Sequence, residues 1–383
     1  RASKIIKMKY CIKCLQTDTR PGTKFNSDGI CPACEYYFNI HLKADFDDRF
    51  KILEEQLKIH KNKDSHFDCI IGVSGGKDST RQALWVRDKL GLNPLLVCLS
   101  YPPEQITTRG TENISNLINL GFDTIITSLK PNTWKNSVKN SFLNYLNWAK
   151  GCEQALFSSV PQIAIKYGIK LILWGENPAL QLGDLNTAGK TGYDGNNLRE
   201  MNTLKGGNID WLIEDGFEKS DVFPYSYPSS KEFKDSGIQI IYLGWFWKDW
   251  SLINNGIFSA SYGLELREDS FENTGDLWGC FSLDEDWVSL NQMIKYYKYG
   301  FGRVNDYCNE GIRHGLISRE EGIKLIEKYE GKISENYIID FCNYIDISLS
   351  EFWANVKKVV NKDLFSLEDS GKIKRKFKVG VGL

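Results

Sequence analysis

Two stretches carry residue types whose spacing can do chemistry. The first is Ser74-Gly75-Gly76-Lys77-Asp78-Ser79. Its two glycines let the backbone approach an oxyanion closely, Ser74 and Ser79 add hydroxyl donors, and Lys77 adds a cation. It is not a Walker A loop, which needs Gly where Ile71 stands and Ser or Thr where Asp78 stands. The second is Cys11-Ile12-Lys13-Cys14 with Cys31-Pro32-Ala33-Cys34. Two such knuckles fit a tetrahedral thiolate site, which zinc prefers. An iron–sulfur cluster or a redox dithiol can use the same residues. With Cys at all four positions, no open coordination site is left for catalysis.

The loop needs elements to hold it. Residues 67–73 read as a buried strand, and 80–90 read as a helix ending at Gly91. A glycine-rich turn between them aims the N–H groups and positive dipole of the helix at an anion. Further strands are expected at 95–100, 122–127, 170–175 and 238–244. Helices are expected over about 106–119, 133–149, 153–167 and 249–262. Apolar strands alternating with helices make a doubly wound parallel α/β sheet, whose ligands bind beyond the carboxyl ends of the strands. The loop, residues 99–101 and Gly175-Glu176-Asn177 then border one crevice, with Ser100 and Tyr101 at the end of the second strand. Residues 178–236 lack periodicity and are rich in Gly, Asn and Asp, as in Asp184–Gly192; a substrate lid is expected there, with a plain surface insertion as the alternative. Trp245, Phe246, Trp247 and Trp250 follow the fifth strand and either stack on a ligand or cap the core.

Around this domain (66–262) the organisation expected is a four-cysteine module at 8–40, a helical connector at 41–65 and a mainly helical region at 263–383. One helix is expected over 35–62, with His41 and His60 on its surface. Ser318 with Glu321 reads as a capping box. Lys372 to Lys378 read as a solvated basic tail, and residues 1–7, ahead of Met8, as foreign to the fold.

The composition bounds the function. The chain has 383 residues, ample for a sizeable core, with 42% hydrophobic and 25% charged residues, as in ordinary globular proteins. No apolar run is long enough for a membrane span and no signal-peptide pattern is seen, so a cytoplasmic protein is expected. Ten cysteines in such a chain do not suggest disulfides. With 48 basic and 49 acidic residues the net charge is −1, which argues against a global nucleic-acid footprint.

Ser74–Ser79 resembles the pyrophosphate loop of the PP-loop ATPases, enzymes of the adenine nucleotide alpha hydrolase-like type. These cut ATP between its α- and β-phosphates and move AMP onto a substrate oxygen. Five stretches together are similar to the bacterial N-acetyl sugar amidotransferases of surface-glycan biosynthesis. They are the cysteine module with Asp18-Thr19-Arg20-Pro21-Gly22, the loop, Trp174-Gly175-Glu176-Asn177-Pro178, Tyr242-Leu243-Gly244, and Lys298-Tyr299-Gly300-Phe301-Gly302-Arg303. The resemblance implies ATP and Mg2+ as reactants, structural Zn2+ on Cys11, Cys14, Cys31 and Cys34, and conversion of an acetamido group on a nucleotide-activated sugar into an acetamidino group. It implies catalytic roles for Ser74, Lys77 and Asp78, with Asp78 also a Mg2+ ligand. Nucleotide contacts would come from all six loop residues with Ser100, Tyr101, Gly175 and Glu176. No cysteine has the Gly-x-Cys-x-Gly setting of a glutaminase elbow. The resemblance therefore implies a glutaminase partner and a barrel subunit similar to the histidine-biosynthesis amidotransferase pair.

A second reading is a tRNA sulfurtransferase, some of which also join a PP-loop to a cysteine module. It needs a reactive cysteine outside the metal site, for which Cys98 and Cys152 are the candidates. A nucleotide-binding protein without catalysis is a third, which loss of Asp78 or the loop serines would have favoured.

Overall fold

The computed structural model describes residues 7–61, 65–183, 191–201, 203–369 and 371–383. The chain divides into two compact units. One holds Lys43–Arg267 with Cys280–Asp286; the other holds the residues up to Leu42, Glu268–Gly279 and Trp287–Leu383.

The first unit is built on apolar runs. Cys69–Val73 (β1), Pro94–Leu99 (β2) and Leu171–Trp174 (β4) are buried at every position, as strands covered on both faces must be. With Thr124–Thr127 (β3) and Gln239–Tyr242 (β5) they form one parallel sheet in the order β3-β2-β1-β4-β5. The register sets Ile71 beside Leu96 on one side and beside Leu173 on the other. The order reverses at β1, so the switch point lies between β1 and β4, immediately before the glycine-rich loop. This is the doubly wound parallel sheet read from the sequence.

The helices of this unit are Phe46–His60 (α1), Lys77–Leu90 (α2), Thr108–Asn119 (α3), Pro131–Tyr145 (α4), Lys150–Tyr167 (α5) and Leu252–Ala260 (α6). Helix α2 ends where expected, with Gly91 in the left-handed region. Helix α5 packs on β1, β2 and β4, and its Val160 and Ala164 join Ile70, Val97, Ile172 and Ile240 in one core.

Three expectations need correction. Residues 35–62 are not one helix: a short helix Pro32–Tyr36 runs into a π-turn Tyr37–His41, and α1 starts afresh because Asp45 accepts the N–H groups of Asp47 and Asp48. His41 is not on the surface; it is 1% exposed and stacks on Tyr37. The described part of 178–236 is not a free lid. Leu198, Leu204 and Tyr227 enter the sheet core, and Gln154 Nε2 on α5 donates to the carbonyls of Gly207 and Tyr225. Residues 184–190, central to that expectation, lie outside the described residues.

The second unit is mainly helical: Val288–Tyr299 (α7), Arg303–Arg313 (α8), Arg319–Tyr329 (α9), Glu335–Tyr344 (α10) and Leu349–Val359 (α11). The capping box opening α9 forms as read: Ser318 Oγ accepts from Glu321 N, and Glu321 Oε2 accepts from Ser318 N. The basic tail is half as expected. Lys372, Lys374, Lys376 and Lys378 are exposed, but Phe365–Leu367 (β6) and Ile373–Arg375 (β7) pair as a hairpin, and Phe377 and Val379 are buried. Met8, Tyr10 and Leu15 share that core with Tyr296, Cys308, Phe365 and Phe377, so the four-cysteine segment is folded into the C-terminal helices rather than standing alone.

Candidate functional site

The loop is shaped by its glycines. Gly75 has φ +78, and a Cβ there would stand 2.9 Å from Ile114 N. Gly76 precedes α2 with extended backbone, and no described side chain caps it. The first N–H groups of α2 have no acceptor within the helix, so its N-terminus is suited to an anion. Ser74 Oγ accepts from Gly76 N at 3.3 Å, which leaves its own proton to donate. Ser79 Oγ–H is used inside the loop, donating to Gly76 O at 3.1 Å.

Lys77 and Asp78 are held by partners that the sequence reading did not single out. Lys77 is 4% exposed, its Nζ lies 2.7 Å from Asp78 Oδ2, and its carbonyl accepts from Ser259 Oγ at 2.6 Å. Asn255 Nδ2 donates to Asp78 Oδ1 at 2.7 Å. Arg81 Nη1 donates to Asn255 Oδ1 at 2.7 Å, and Arg81 Nη2 grips Asp249 at 2.7 and 2.9 Å. Helix α6 thus fixes the loop from outside the motif. The available signal was polar Asn255 and Ser259, four apart, in the apolar run Leu252–Ala260. Gly256 completes this face: a Cβ there would meet Cys280 Sγ at 3.2 Å and Lys77 Cδ at 4.0 Å.

The neighbouring strand ends supply the other walls. Because β2 and β4 flank β1, Ser100 and Tyr101 stand on one side of the loop and Gly175 and Glu176 on the other. Ser100 Oγ donates to Tyr101 O at 3.1 Å, and the Tyr101 ring packs edge-on against Trp134 at 5.6 Å. Burial, reinforced by Asp284 and Glu285, pushes the Tyr101 phenol well above its ordinary range. Trp250 Nε1 donates to Gly175 O at 2.8 Å, and Asn177 Nδ2 donates to Gly244 O at 3.0 Å. Trp247 and Trp250 are buried, and Arg81 lies over the Trp247 ring. The Trp cluster therefore braces the crevice. Burial and the neighbouring Asp78 push the Glu176 carboxyl up to about 7, against the pull of Lys77.

The segment Cys280–Asp286 was also missed. Arg109 Nε donates to Leu283 O at 2.9 Å, Arg267 and Arg109 both pair with Asp286, and Thr107 N donates to Asp284 O at 3.0 Å. Phe281 is carried to within 5.7 Å of Lys77 Nζ, measured to its ring centroid. Nothing in the local sequence pattern marks this return.

The four cysteines lie together and fully buried, with sulfurs all within 4.8 Å of one another. Cys14 Sγ and Cys31 Sγ are 3.8 Å apart. A tetrahedron of sulfurs at the usual zinc–thiolate bond length has edges of about 3.8 Å. Backbone N–H groups of Gln16 and Cys31 point at Cys14 Sγ (3.3 Å) and Cys11 Sγ (3.2 Å), as thiolates require. The donor set fits a single tetrahedral ion. Elsewhere, Cys98 and Cys152 are buried, and burial pushes the Cys98 thiol up to about 12 and that of Cys152 well above its ordinary range. Neither is poised as a thiolate nucleophile.

Among the described residues, no helix is long and apolar enough to cross a membrane. No curated protein sequence matches the chain. Solved structures that align with it include the U34-tRNA thiolase NcsA from Methanococcus maripaludis with its 4Fe-4S cluster, at 14% identity over 74% of this chain and 82% of that one, TM-score 0.30. Another is NMN synthetase from Francisella tularensis, at 11% identity over 79% and 94%, TM-score 0.32. At these scores neither alignment bears on what this chain does. Residues 268–378 match the family model described as LPS biosynthesis protein WbpG-like, C-terminal domain. That span contains Lys298–Arg303, one of the stretches that carry the surface-glycan resemblance. The C-terminal region of the chain is thus similar to the corresponding domain of WbpG-like LPS biosynthesis proteins.

Proposed function

We propose that the protein is an ATP-dependent, AMP-forming amidotransferase of the cytoplasm that turns the acetamido group of a nucleotide-activated N-acetyl sugar into an acetamidino group. The observation that carries this reading is the uncapped N-terminus of α2 behind Gly75 and Gly76, at the switch point of the sheet, with Lys77 and Asp78 locked beside it. The LPS-biosynthesis match over 268–378 supports a glycan substrate.

An amide carbon is a poor electrophile because its oxygen does not leave. In the proposed reaction the amide oxygen attacks the α-phosphorus of ATP, the bond to the β-phosphate breaks, and the amide N–H proton is lost. The product is an O-adenylyl imidate with pyrophosphate. Ammonia then adds to the imidate carbon, the carbon–oxygen bond to AMP breaks, and the amidine remains. The acetamido oxygen leaves in AMP. The loop N–H groups, Ser74 Oγ–H and Lys77 stabilise charge on the departing pyrophosphate. Glu176, held near neutrality, takes the proton that the incoming nitrogen must lose. Asp78 is the loop residue that would hold Mg2+, which neutralises phosphate charge when bound. Ser100 and Tyr101 line the nucleotide side. Cys11, Cys14, Cys31 and Cys34 would hold Zn2+ as a structural centre. Ammonia comes from a glutaminase partner with a barrel subunit, as the resemblance implies.

The test is direct. A sugar carrying heavy oxygen in its acetamido group is incubated with ATP, Mg2+ and ammonium. The label is expected in the phosphate of AMP and absent from the sugar product. AMP without label contradicts adenylylation of that oxygen.

A further inference from the structure

A buried side-chain N–H2 group at the switch point has no partner among the described residues. Gln82 is 1% exposed, and its Nε2 is buried with no acceptor among the described residues. It lies on α2, four residues after Asp78 and so on the same helical face. That face looks onto the end of β4. A Cβ on Gly175 would stand 3.1 Å from Gln82 Oε1 and 3.4 Å from the Asp78 carbonyl. The carboxamide therefore rests against the backbone that leads into Glu176, beside the loop. A glycine at 175 leaves room for it.

A buried N–H donor without an acceptor destabilises a fold, and an apolar side chain of the same length avoids that cost. The flanking Ala83, Leu84 and Val86 are apolar and buried, as a helix packed on a sheet requires. Nearby, Trp250 Nε1 and Asn177 Nδ2 do have acceptors, Gly175 O and Gly244 O. The buried Thr80 and Arg81 of the same helix donate to Gly75 O, Asn255 and Asp249, whereas Gln82 Nε2 has no acceptor among the described residues.

We propose that the Gln82 carboxamide reads the bound substrate, its N–H2 donating to an acceptor oxygen at the switch point. The inference rests on the reading above for what enters the crevice. Two sources offer that oxygen: a phosphate of the nucleotide, or the acyl group of the sugar. A site that hydrogen-bonds its ligand loses affinity when the donor is removed, but the empty protein gains stability.

The experiment uses the full chain and Gln82→Met, which keeps length and volume, with Gln82→Ala as a second variant. Thermal unfolding is followed without ligand. Affinities for AMP and for a non-hydrolysable ATP analogue are measured by calorimetry, and KM for the sugar by AMP release. Q82M is expected to melt a few degrees higher than the wild type, and to lose about tenfold in binding. If the loss appears in nucleotide affinity, the acceptor is a phosphate oxygen. If nucleotide affinity holds and the sugar KM rises, it is the acyl oxygen. A Q82M protein that melts no higher and keeps both affinities overturns the role of Gln82. A wild type that binds no adenine nucleotide overturns the amidotransferase reading itself. If Q82M fails to fold, Q82A decides on the affinities alone, its unchanged values again counting against Gln82.

Discussion

Asn255 Nδ2 donates to Asp78 Oδ1 over 2.7 Å, across 177 residues of sequence. Arg81 Nη1 holds the other end of the same amide, so Asn255 is turned one way and Asp78 is aimed. Asp78 Oδ2 meanwhile takes Lys77 Nζ at 2.7 Å. The expected consequence is that Asn255→Leu leaves the sheet intact but frees the Asp78 carboxylate. AMP formation should fall about 10- to 100-fold, the usual cost of removing a group that orients a functional side chain. Comparing turnover with thermal unfolding checks this; full activity in a folded variant contradicts it.

Glu176 carries a pH signature. Burial and Asp78 raise its folded pKa from 4.5 to about 7. A carboxyl whose pKa is raised on folding contributes stability that is present below the unfolded value and lost as pH rises through the folded one. Glu176→Gln removes the cost of ionising there. The variant should therefore melt higher than the wild type at a pH well above 7, with the gap closing as pH falls toward 4.5. A gap that does not change with pH contradicts the assignment. As proton acceptor, Glu176 should also give the wild type an ammonia-dependent limb in its pH–rate profile, which Glu176→Gln lacks.

The four-cysteine site makes its own prediction. Asn305 and Asn309 on α8 bond to Leu15 O and Leu15 N. Arg313, the next residue four along that face, is buried beside the thiols. Burial pulls its guanidinium down, and Cys14, Cys34 and Cys31 together outweigh that and push it up. A tetrathiolate ion carries net negative charge, and Arg313 is placed to balance it. Arg313→Gln should release metal to a chelator about 10- to 100-fold faster than the wild type, with Arg313→Lys intermediate. One zinc per chain is expected by elemental analysis, and a folded, metal-free protein contradicts the site.

Gly75→Ala tests the loop backbone. Its φ of +78 and the 2.9 Å approach to Ile114 N leave no room for a methyl group. The left-handed conformation alone costs about 1–2 kcal/mol with a side chain. A lower melting temperature and lost nucleotide binding are expected together; unchanged binding contradicts the cradle.

What the sequence made legible follows from range. Strands β1 to β5, the glycine-rich turn and the Ser318–Glu321 capping box are local patterns, and each lies where it was read. Gly91 ends α2 for the same reason. Asn255, Arg81 and the Cys280–Asp286 return were hidden because their roles arise from partners up to 177 residues away. His41 was misjudged because a π-turn and the Tyr37 ring bury it, and periodicity carries neither. The described part of 178–236 looked like open loop because its buried residues, Leu198, Leu204 and Tyr227, are too sparse to show a period.

The proposed reaction is amidine synthesis with release of AMP. The measurement that tests it most directly is mass spectrometry of products from the full chain with ATP, Mg2+, ammonium and a panel of nucleotide-activated N-acetyl sugars, with Ser74→Ala and Asp78→Ala in parallel. One sugar is expected to exchange its acetamido oxygen for nitrogen, with AMP formed in equal amount, and both variants to stay folded and form neither product. Release of ADP in place of AMP, or amidine formation undiminished in both variants, would contradict it.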